Sequence, residues 1–320
     1  MKLLDQVRQQ IRVRHYAYST EKSYCHWVKR FIIFHKKRHP KDLSADHISE
    51  FLTYLAVKEH VSASTQNQAL CALIFLYRWV IGVEIGDVGG FNFAKRPKRL
   101  PTVLSKNEVR TLVSNLQGTY RCLAMLMYGS GLRQTEALRL RVADVDFDRN
   151  ELVVRCGKGN KDRITMLPTE SIEGIKQSIE EARNLFEEDV KNGIDYIWLP
   201  NALNKKFPNA AREFRWRFIF SSRNISSNPQ NGKRGRHHIH AKGIQRAIRS
   251  AARDAAINKY VTCHTLRHSF ATHLLESGYD IRTVQELLGH NNVQTTMIYT
   301  HVLNKGGKGV ASPADNLWEA

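Results

Sequence analysis

The sequence predicts a mainly α protein with a small β-sheet, divided into two domains. Three observations carry this. Apolar residues recur at helical spacing through residues 1–85. A stretch rich in Gly, Pro and basic residues, 86–101, then interrupts the pattern. The second half returns to helical spacing except at 151–167, where two β-type runs flank a Gly-rich turn. The chain has 320 residues, 42% of them hydrophobic, enough for each part to bury its own core. The expected division is a helical domain over 1–88, a basic linker over 89–101 and a mixed α/β domain over 102–320, with an insertion at about 190–222.

In the first domain, Tyr24, Trp27, Val28, Phe31 and Ile32 make one helical stripe. Ser44 precedes a second, formed by Ile48, Phe51, Leu52 and Leu55. Ser64 or Thr65 can cap a third helix carrying Leu70, Leu73, Leu76, Trp79 and Val80. The stripes read as a bundle core. Lys29, Arg30, Lys36 and Lys37 between them are a solvated face or a track for phosphates. In the linker, Pro97 and Pro101 resist helix, and Lys95, Arg96, Lys98 and Arg99 crowd four charges into five positions. An ordinary solvated linker would look similar, but the overall charge favours a strap across a DNA backbone.

The second domain opens at Ser105 with Glu108 three residues on, a capping-box pattern. Helical patterning runs through Met127. In YGSGLRQTEALRLRVADVDF, residues 128–147, Gly129 and Gly131 interrupt the chain and Arg133 opens a helix with Glu136 at i+3, a spacing that also suits a simple ion pair. Lys158 and Lys161 sit at or near the tip of the 151–167 turn, and a long charged helix follows over about 170–191. Residues 196–222 interleave Trp198, Phe207, Phe214, Trp216 and Phe218 with Lys205, Lys206, Arg212, Arg215 and Arg217. Most of these aromatics read as a small local core. Trp216, flanked by Arg215 and Arg217 in a strand-like run, is expected to face alone toward a ligand. NGKRGRHHIHAKG, 231–243, adds His237, His238 and His240.

HTLRHSFATHLLES, 264–277, is helical, with Leu266, Phe270 and Leu274 on one stripe and His264 and Arg267 on another face. Gly278 breaks it. Ile281, Val284, Leu287 and Leu288 make a second amphipathic turn closed by Gly289. His290 follows on a loop and Tyr299 comes nine residues later. Taken singly, each of these polar residues is more often structural than functional. His264 and His268, at i and i+4, have the spacing of two metal ligands on a helix, but no HExxH motif is present and no carboxylate is placed to complete a site, so no metal and no cofactor are expected.

Lys and Arg number 49 against 30 acids, a net charge of +19 and a pI near 9.9, which favours a nucleic acid as partner. The basic residues are spread rather than gathered on one amphipathic helix, no apolar run approaches the roughly 18 residues of a membrane span, and the N-terminus lacks a signal peptide's apolar core. Cys25, Cys71, Cys122, Cys156 and Cys263 are dispersed without a CxxC, as in a reducing compartment. A soluble, intracellular protein with no membrane association is expected.

HTLRHSFATHLL, LLGH and TTMIYTH together resemble the C-terminal signature of the tyrosine recombinase (phage integrase) family, which carries HxLRH, LGH and a nucleophilic tyrosine in this order. GLRQTEALRL resembles the family's first motif, GLRxSExLxL, with Thr135 in place of the usual Ser; GKGNKDR resembles its lysine hairpin and YSTEKSY the opening of its N-terminal core-binding domain. The insertion and the tail KGGKGVASPADNL resemble the integron integrase subfamily.

The resemblance implies the two-domain tyrosine recombinase fold, clamped on DNA as a C, and a catalytic set of Arg133, Lys158, His264, Arg267, His290 and Tyr299. Tyr299 would attack a phosphodiester to give a 3′-phosphotyrosyl link, the two arginines would meet the phosphate charge in place of a metal, Lys158 would protonate the leaving oxygen, His264 would move the nucleophile's proton and His290 would hydrogen-bond the phosphate. It also implies a homotetramer in the synapse, with the tail at about 303–320 docking on a neighbour, and a bacterial, nucleoid-associated location. DNA partners would include duplex sites and folded single-stranded hairpins, whose extrahelical bases Arg215, Trp216, His237, His238 and His240 would contact. Alternatives are a Xer- or phage-type recombinase on duplex sites, a type IB topoisomerase-like enzyme, and a DNA-binding module without cleavage.

Overall fold

The computed structural model describes residues 2–83, 93–94, 100–155, 162–194, 196–199, 206–229 and 231–302. The chain divides into two compact units, Met1–Arg99 and Leu100–Ala320.

Among the described residues, the first unit is built from four α-helices, α1 (Leu3–Val13), α2 (Tyr18–Phe34), α3 (Ala45–Val57) and α4 (Ala63–Leu76). The stripes read from sequence meet in one core of Trp27, Val28, Phe31, Ile48, Phe51, Leu52, Leu55, Leu70, Leu73 and Leu76, joined by Val7 and Ile11 from α1. The cap of α4 lies earlier than expected: the Ser62 side chain accepts the Thr65 N–H, and Ser64 and Thr65 are already helical. A π-turn, Tyr77–Ile81, extends α4, and Gly82 ends it at a positive φ of 79°. The Tyr77 hydroxyl pins that turn by donating to Pro40 O at 2.9 Å. Buried Glu21 is matched by a fork from Arg12, Nε and one terminal nitrogen at 2.8 and 3.0 Å. Asn67 grips Ala94 through both backbone groups, at 2.9 and 3.1 Å. The expected strap residues beyond it, Lys95, Arg96, Lys98 and Arg99, lie outside the described residues.

The second unit holds α5 (Lys106–Ser114), α6 (Gly118–Gly129), α7 (Gln134–Leu138), α8 (Ile172–Lys191), α9 (Ala241–Asp254), α10 (Cys263–Glu276) and α11 (Ile281–Leu288). A three-stranded antiparallel sheet runs β1 (Val145–Asp146), β2 (Glu151–Val154), β3 (Arg163–Met166), and a separate hairpin pairs β4 (Ser221–Ser227) with β5 (Arg234–His238). The fold is therefore mainly α with small sheets, as the sequence predicts. The capping box at α5 forms, Ser105 Oγ accepting the Glu108 N–H at 3.1 Å and Glu108 accepting the Ser105 N–H at 2.7 Å.

Helix α10 is central. Leu266, Phe270, Ala271 and Leu275 are buried, and so are Thr265, Arg267, Ser269, Thr272 and His273 on its other faces. Polar groups on a helix buried all round need partners. Ser269 Oγ accepts the Leu104 N–H at 2.9 Å, and His273 Nδ1 pairs with the Tyr128 hydroxyl at 2.9 Å.

The insertion departs from expectation. Residues Phe214–Trp216 form a 3₁₀ turn instead of a strand-like run, so the alternation that would aim Trp216 outward does not apply. Trp216 is only 6% exposed and packs with Ile197, Leu199, Ala210 and Phe207. The β4–β5 hairpin that follows was not expected from its polar sequence.

Candidate active site

The site grows from one glycine turn. Gly131 has a φ of +63°, and a Cβ there would lie 2.5 Å from the Phe270 ring, so both conformation and space demand glycine. The turn ends at Arg133, the N-cap residue of α7. Glu136 closes that cap by accepting the Arg133 N–H at 2.8 Å and its guanidinium at 2.7 Å.

Glu136 is also the hub of three arginines. Arg163, brought across from β3, forks onto both carboxylate oxygens at 3.1 and 2.7 Å. Arg267, from α10, approaches to 3.7 Å. Burial alone would raise the Glu136 pKa, but the hydrogen bonds and charges of Arg163 and Arg133 outweigh it and hold the carboxyl at about 2. Three guanidiniums against one carboxylate leave two positive charges in excess, an arrangement that favours an anion.

The Arg267 side chain is fixed by backbone. It is 1% exposed and donates to Gly131 O at 2.5 Å and Leu288 O at 2.6 Å. Burial and the like charge of Arg133 lower its pKa to about 9, so it stays charged at neutral pH. A terminal nitrogen also reaches His290 Nε2 at 3.2 Å. His290 follows Gly289, which ends α11 at a φ of +61° and has no room for a Cβ beside the Arg163 side chain. The other nitrogen of His290, Nδ1, meets Thr296 Oγ1 at 2.9 Å.

Tyr299 lies on the 3₁₀ segment Met297–Val302 and is 1% exposed. Its ring is enclosed by Phe270, Ala271, Leu275, Val284 and Leu288. Its hydroxyl is 2.7 Å from His268 Nδ1. Burial pushes the phenol up to about 12 against the opposing charges of Arg267 and Arg133, so it is protonated at neutral pH. Burial, with the charges of His264 and Arg267, brings His268 down to about 4, leaving a neutral ring to accept the phenolic hydrogen. His264 stacks edge-on to His268 at 4.9 Å between centroids. Desolvation and the charges of Arg267 and Arg133 lower its pKa, although one edge is open to solvent.

Five of the six residues expected in the catalytic set, Arg133, His264, Arg267, His290 and Tyr299, thus belong to one side-chain neighbourhood. Lys158 lies outside the described residues. Among the described residues, no three His, Cys, Asp or Glu side chains gather as a metal site. Two residues of this neighbourhood, His268 and Arg163, stand outside the expected set. The i+4 spacing of His268 from His264 puts both on one face of α10, where the same spacing also suits a pair of metal ligands. Arg163 belongs to the GKGNKDR motif, but its reach to Glu136 is set by the pairing of β3 with β2, in which Arg163 lies opposite Val154.

The residues expected to read bases are scattered. Trp216 presents no free ring face, a correction that follows from the 3₁₀ turn and the core around it. His237 is half-buried against Phe218, at 5.0 Å between centroids, and His238, at 4.1 Å; burial first, then the charge of His238, lowers its pKa to about 4. His238 Nδ1 hydrogen-bonds Ile239 O at 2.8 Å. His240 is the N-cap of α9 and accepts the Lys242 N–H at 3.1 Å. Arg215 is exposed and paired with Glu213 at 2.6 Å.

Residues 102–305 match the profile of the phage integrase family, and residues 3–87 that of the phage integrase N-terminal SAM-like domain. An integrase/recombinase of Escherichia coli is 45% identical over 99% of this chain and 94% of its own length. The tyrosine recombinase XerA of Thermococcus onnurineus is 32% identical over 89% of this chain and 85% of its own. Among solved structures, a lambda integrase dimer bound to a core site superposes with a TM-score of 0.61 at 16% identity, covering 93% of each chain. The XerH recombinase bound to its difH substrate gives 0.59 at 22% identity, covering 96% of this chain and 81% of that one. These two likenesses are of fold. The profile matches and the relatives' identities show that this chain belongs to the phage integrase family and is a tyrosine site-specific recombinase.

Proposed function

We propose that this recombinase cuts and rejoins DNA through Tyr299. The phenolic oxygen attacks phosphorus, the bond to the 5′ oxygen breaks, and a 3′-phosphotyrosyl link forms. The phenolic proton leaves toward the histidines of α10, with His264 assisting, and the departing 5′ oxygen takes a proton from Lys158. Arg133 and Arg267 neutralise the non-bridging oxygens and His290 hydrogen-bonds the same phosphate. A partner strand's hydroxyl reverses the step, so no ATP, metal or other cofactor is required. The observation that carries this reading is the excess of positive charge around Glu136, with the Tyr299 hydroxyl held by the neighbouring α10 histidine.

Within the family we assign the chain to the integron integrases, integrating or excising gene cassettes in the bacterial cytoplasm on nucleoid DNA. The synapse would be a homotetramer, and folded single-stranded hairpins would serve as sites alongside duplex. The support is the insertion, the tail after Tyr299 and the half-buried pair His237 and His238 on β5. A second reading, a Xer- or phage-type enzyme on duplex sites, is favoured by the burial of Trp216, which removes one platform for an extrahelical base. Recombination between sites supplied as duplex or as one folded strand separates the two. Exchange of the folded strand supports the integron assignment, and exchange restricted to duplex overturns it.

A further inference from the structure

We propose that Arg163 is a positioning residue whose charge offsets that of Glu136, so that Arg133 and Arg267 keep theirs for the phosphate. The inference rests on the phosphodiester chemistry proposed above. All three arginines are tied to one helix end. Arg163 donates to Leu287 O at 2.9 Å, Arg267 to Leu288 O at 2.6 Å and Arg133 to Gly289 O at 3.3 Å, the successive carbonyls that close α11. That contact does not tell them apart. Their hold on Glu136 does.

A carboxylate offers about four acceptor positions. On Glu136, Oε1 takes a terminal nitrogen of Arg133 at 2.7 Å and one of Arg163 at 3.1 Å. Oε2 takes the Arg133 N–H at 2.8 Å and the other terminal nitrogen of Arg163 at 2.7 Å. Arg267 stands 3.7 Å from the same Oε2, beyond a hydrogen bond. Arg163 thus fills half of the positions, and its own Nε is engaged at Leu287. Burial pushes the Glu136 carboxyl up, and Arg163 leads the groups that hold it at about 2. Without Arg163, two acceptor positions open beside Arg133 and Arg267. A guanidinium drawn onto Glu136 presents less charge to an incoming phosphate. The excess among the described residues falls from two positive charges to one.

The test uses the full chain with Arg163→Gln, Arg163→Lys and the double variant Arg163→Gln/Glu136→Gln. Lysine keeps the cation without the fork. The double variant removes cation and anion together, and its amide oxygen can still accept the Arg133 N–H. Both restore the excess of two. The first readout is a titration of the free protein with inorganic sulfate, followed at the Arg133 Nε–H resonance. Arg163→Gln is expected to bind sulfate about tenfold more weakly, and the other two variants to bind it as the wild type does. The second is the rate of covalent capture on nicked duplexes selected by wild-type capture from a randomised pool. Arg163→Gln is expected to lose about ten- to a hundredfold, less than the loss of a donor that touches the phosphate, and the other two to regain most of it. A merely structural Arg163 predicts the opposite for the double variant, because removing a second buried partner compounds the damage. Wild-type behaviour of Arg163→Gln in either readout, no recovery in the Lys or double variant, or an Arg133 resonance in the wild type that ignores sulfate overturns the proposal. If Arg163→Gln does not fold, the double variant decides: wild-type sulfate affinity supports the charge account and its loss overturns it. Failure of the wild type to capture any member of the pool would instead count against Tyr299 as nucleophile, and the sulfate titration is read independently of it.

Discussion

Among the buried carboxylates of the second unit that organise arginines, Glu136 and Asp189 do so with opposite balance. Glu136 gathers Arg133, Arg163 and Arg267 and leaves positive charge over. Asp189, at the end of α8, gathers Arg236 at 2.6 Å and Arg217 at 3.6 Å, while Glu188 stands 4.0 Å from Arg236. Two cations there face two anions, buried Asp189 and Glu188 at the exposed rim. Arg236 spends its remaining donors on Ser222 O and Arg223 O, across the irregular register between Ser221 and Ile225. The Asp189 cluster is closed and fastens the β4–β5 hairpin to α8. The Glu136 cluster sets three cations on one carboxylate and sits beside a tyrosine hydroxyl. Burial of charge is common to both, so it does not by itself mark function; the Glu136 cluster differs in its unbalanced sum.

Breaking the balanced cluster should cost stability first. Asp189→Asn leaves Arg236 and Arg217 buried without their nearest counter-charge, and the expected loss is about 3–5 kcal/mol. Urea unfolding measures it, and covalent capture per folded molecule should be unchanged. Trp216→Ala should cost a similar amount, about 3–5 kcal/mol, because it empties the insertion's own core. Its affinities for a bulged hairpin and a fully paired duplex should fall together; a loss confined to the hairpin would return Trp216 to base reading.

Breaking the unbalanced cluster should cost chemistry. Arg267→Lys keeps a charge but loses the fork onto Gly131 O, Leu288 O and His290. Single-turnover capture should slow by about a hundred- to a thousandfold, the usual cost of removing one donor aimed at developing charge. Acid should find the same cluster from the stability side. Glu136 has a folded pKa of about 2 against an ordinary value of 4.5, so it contributes about 3 kcal/mol. That contribution is present above the ordinary value and is lost as pH falls toward the folded one. Urea unfolding from about pH 5 down to about pH 2 should show this slope, and Glu136→Gln should remove its share.

The two regions also differ in how far sequence alone could read them. The α10 region is legible because its fold and its chemistry are local: one helix, one glycine stop and one turn carry His264, Arg267, His290 and Tyr299 within 36 residues. What escapes there is long-range, as with Arg163 reaching Glu136 from a strand and His268 reaching Tyr299 across a turn. The insertion is poorly legible for a different reason. REFRWRF alternates polar and aromatic residues like a strand, yet Glu213 and Phe214 begin a 3₁₀ turn, and packing on Phe207 decides where Trp216 points. SSRNISS has no apolar alternation, so β4 is held by Arg236 and by its pairing with β5 rather than by a buried face. In the first unit, α1 carries the thinnest apolar stripe, with only Val7 and Ile11 fully buried along it.

Central to the proposed reaction is the assignment of the Tyr299 oxygen as the nucleophile served by the Glu136 cluster. The direct measurement is covalent capture of a nicked duplex, chosen from a randomised pool by the wild type and read as a denaturant-resistant protein–DNA band. Tyr299→Phe removes one oxygen from a buried ring and keeps its packing. It is expected to bind the duplex as the wild type does and to form no band at any time. A band from the Phe variant would contradict the assignment outright and move the nucleophile elsewhere in the chain.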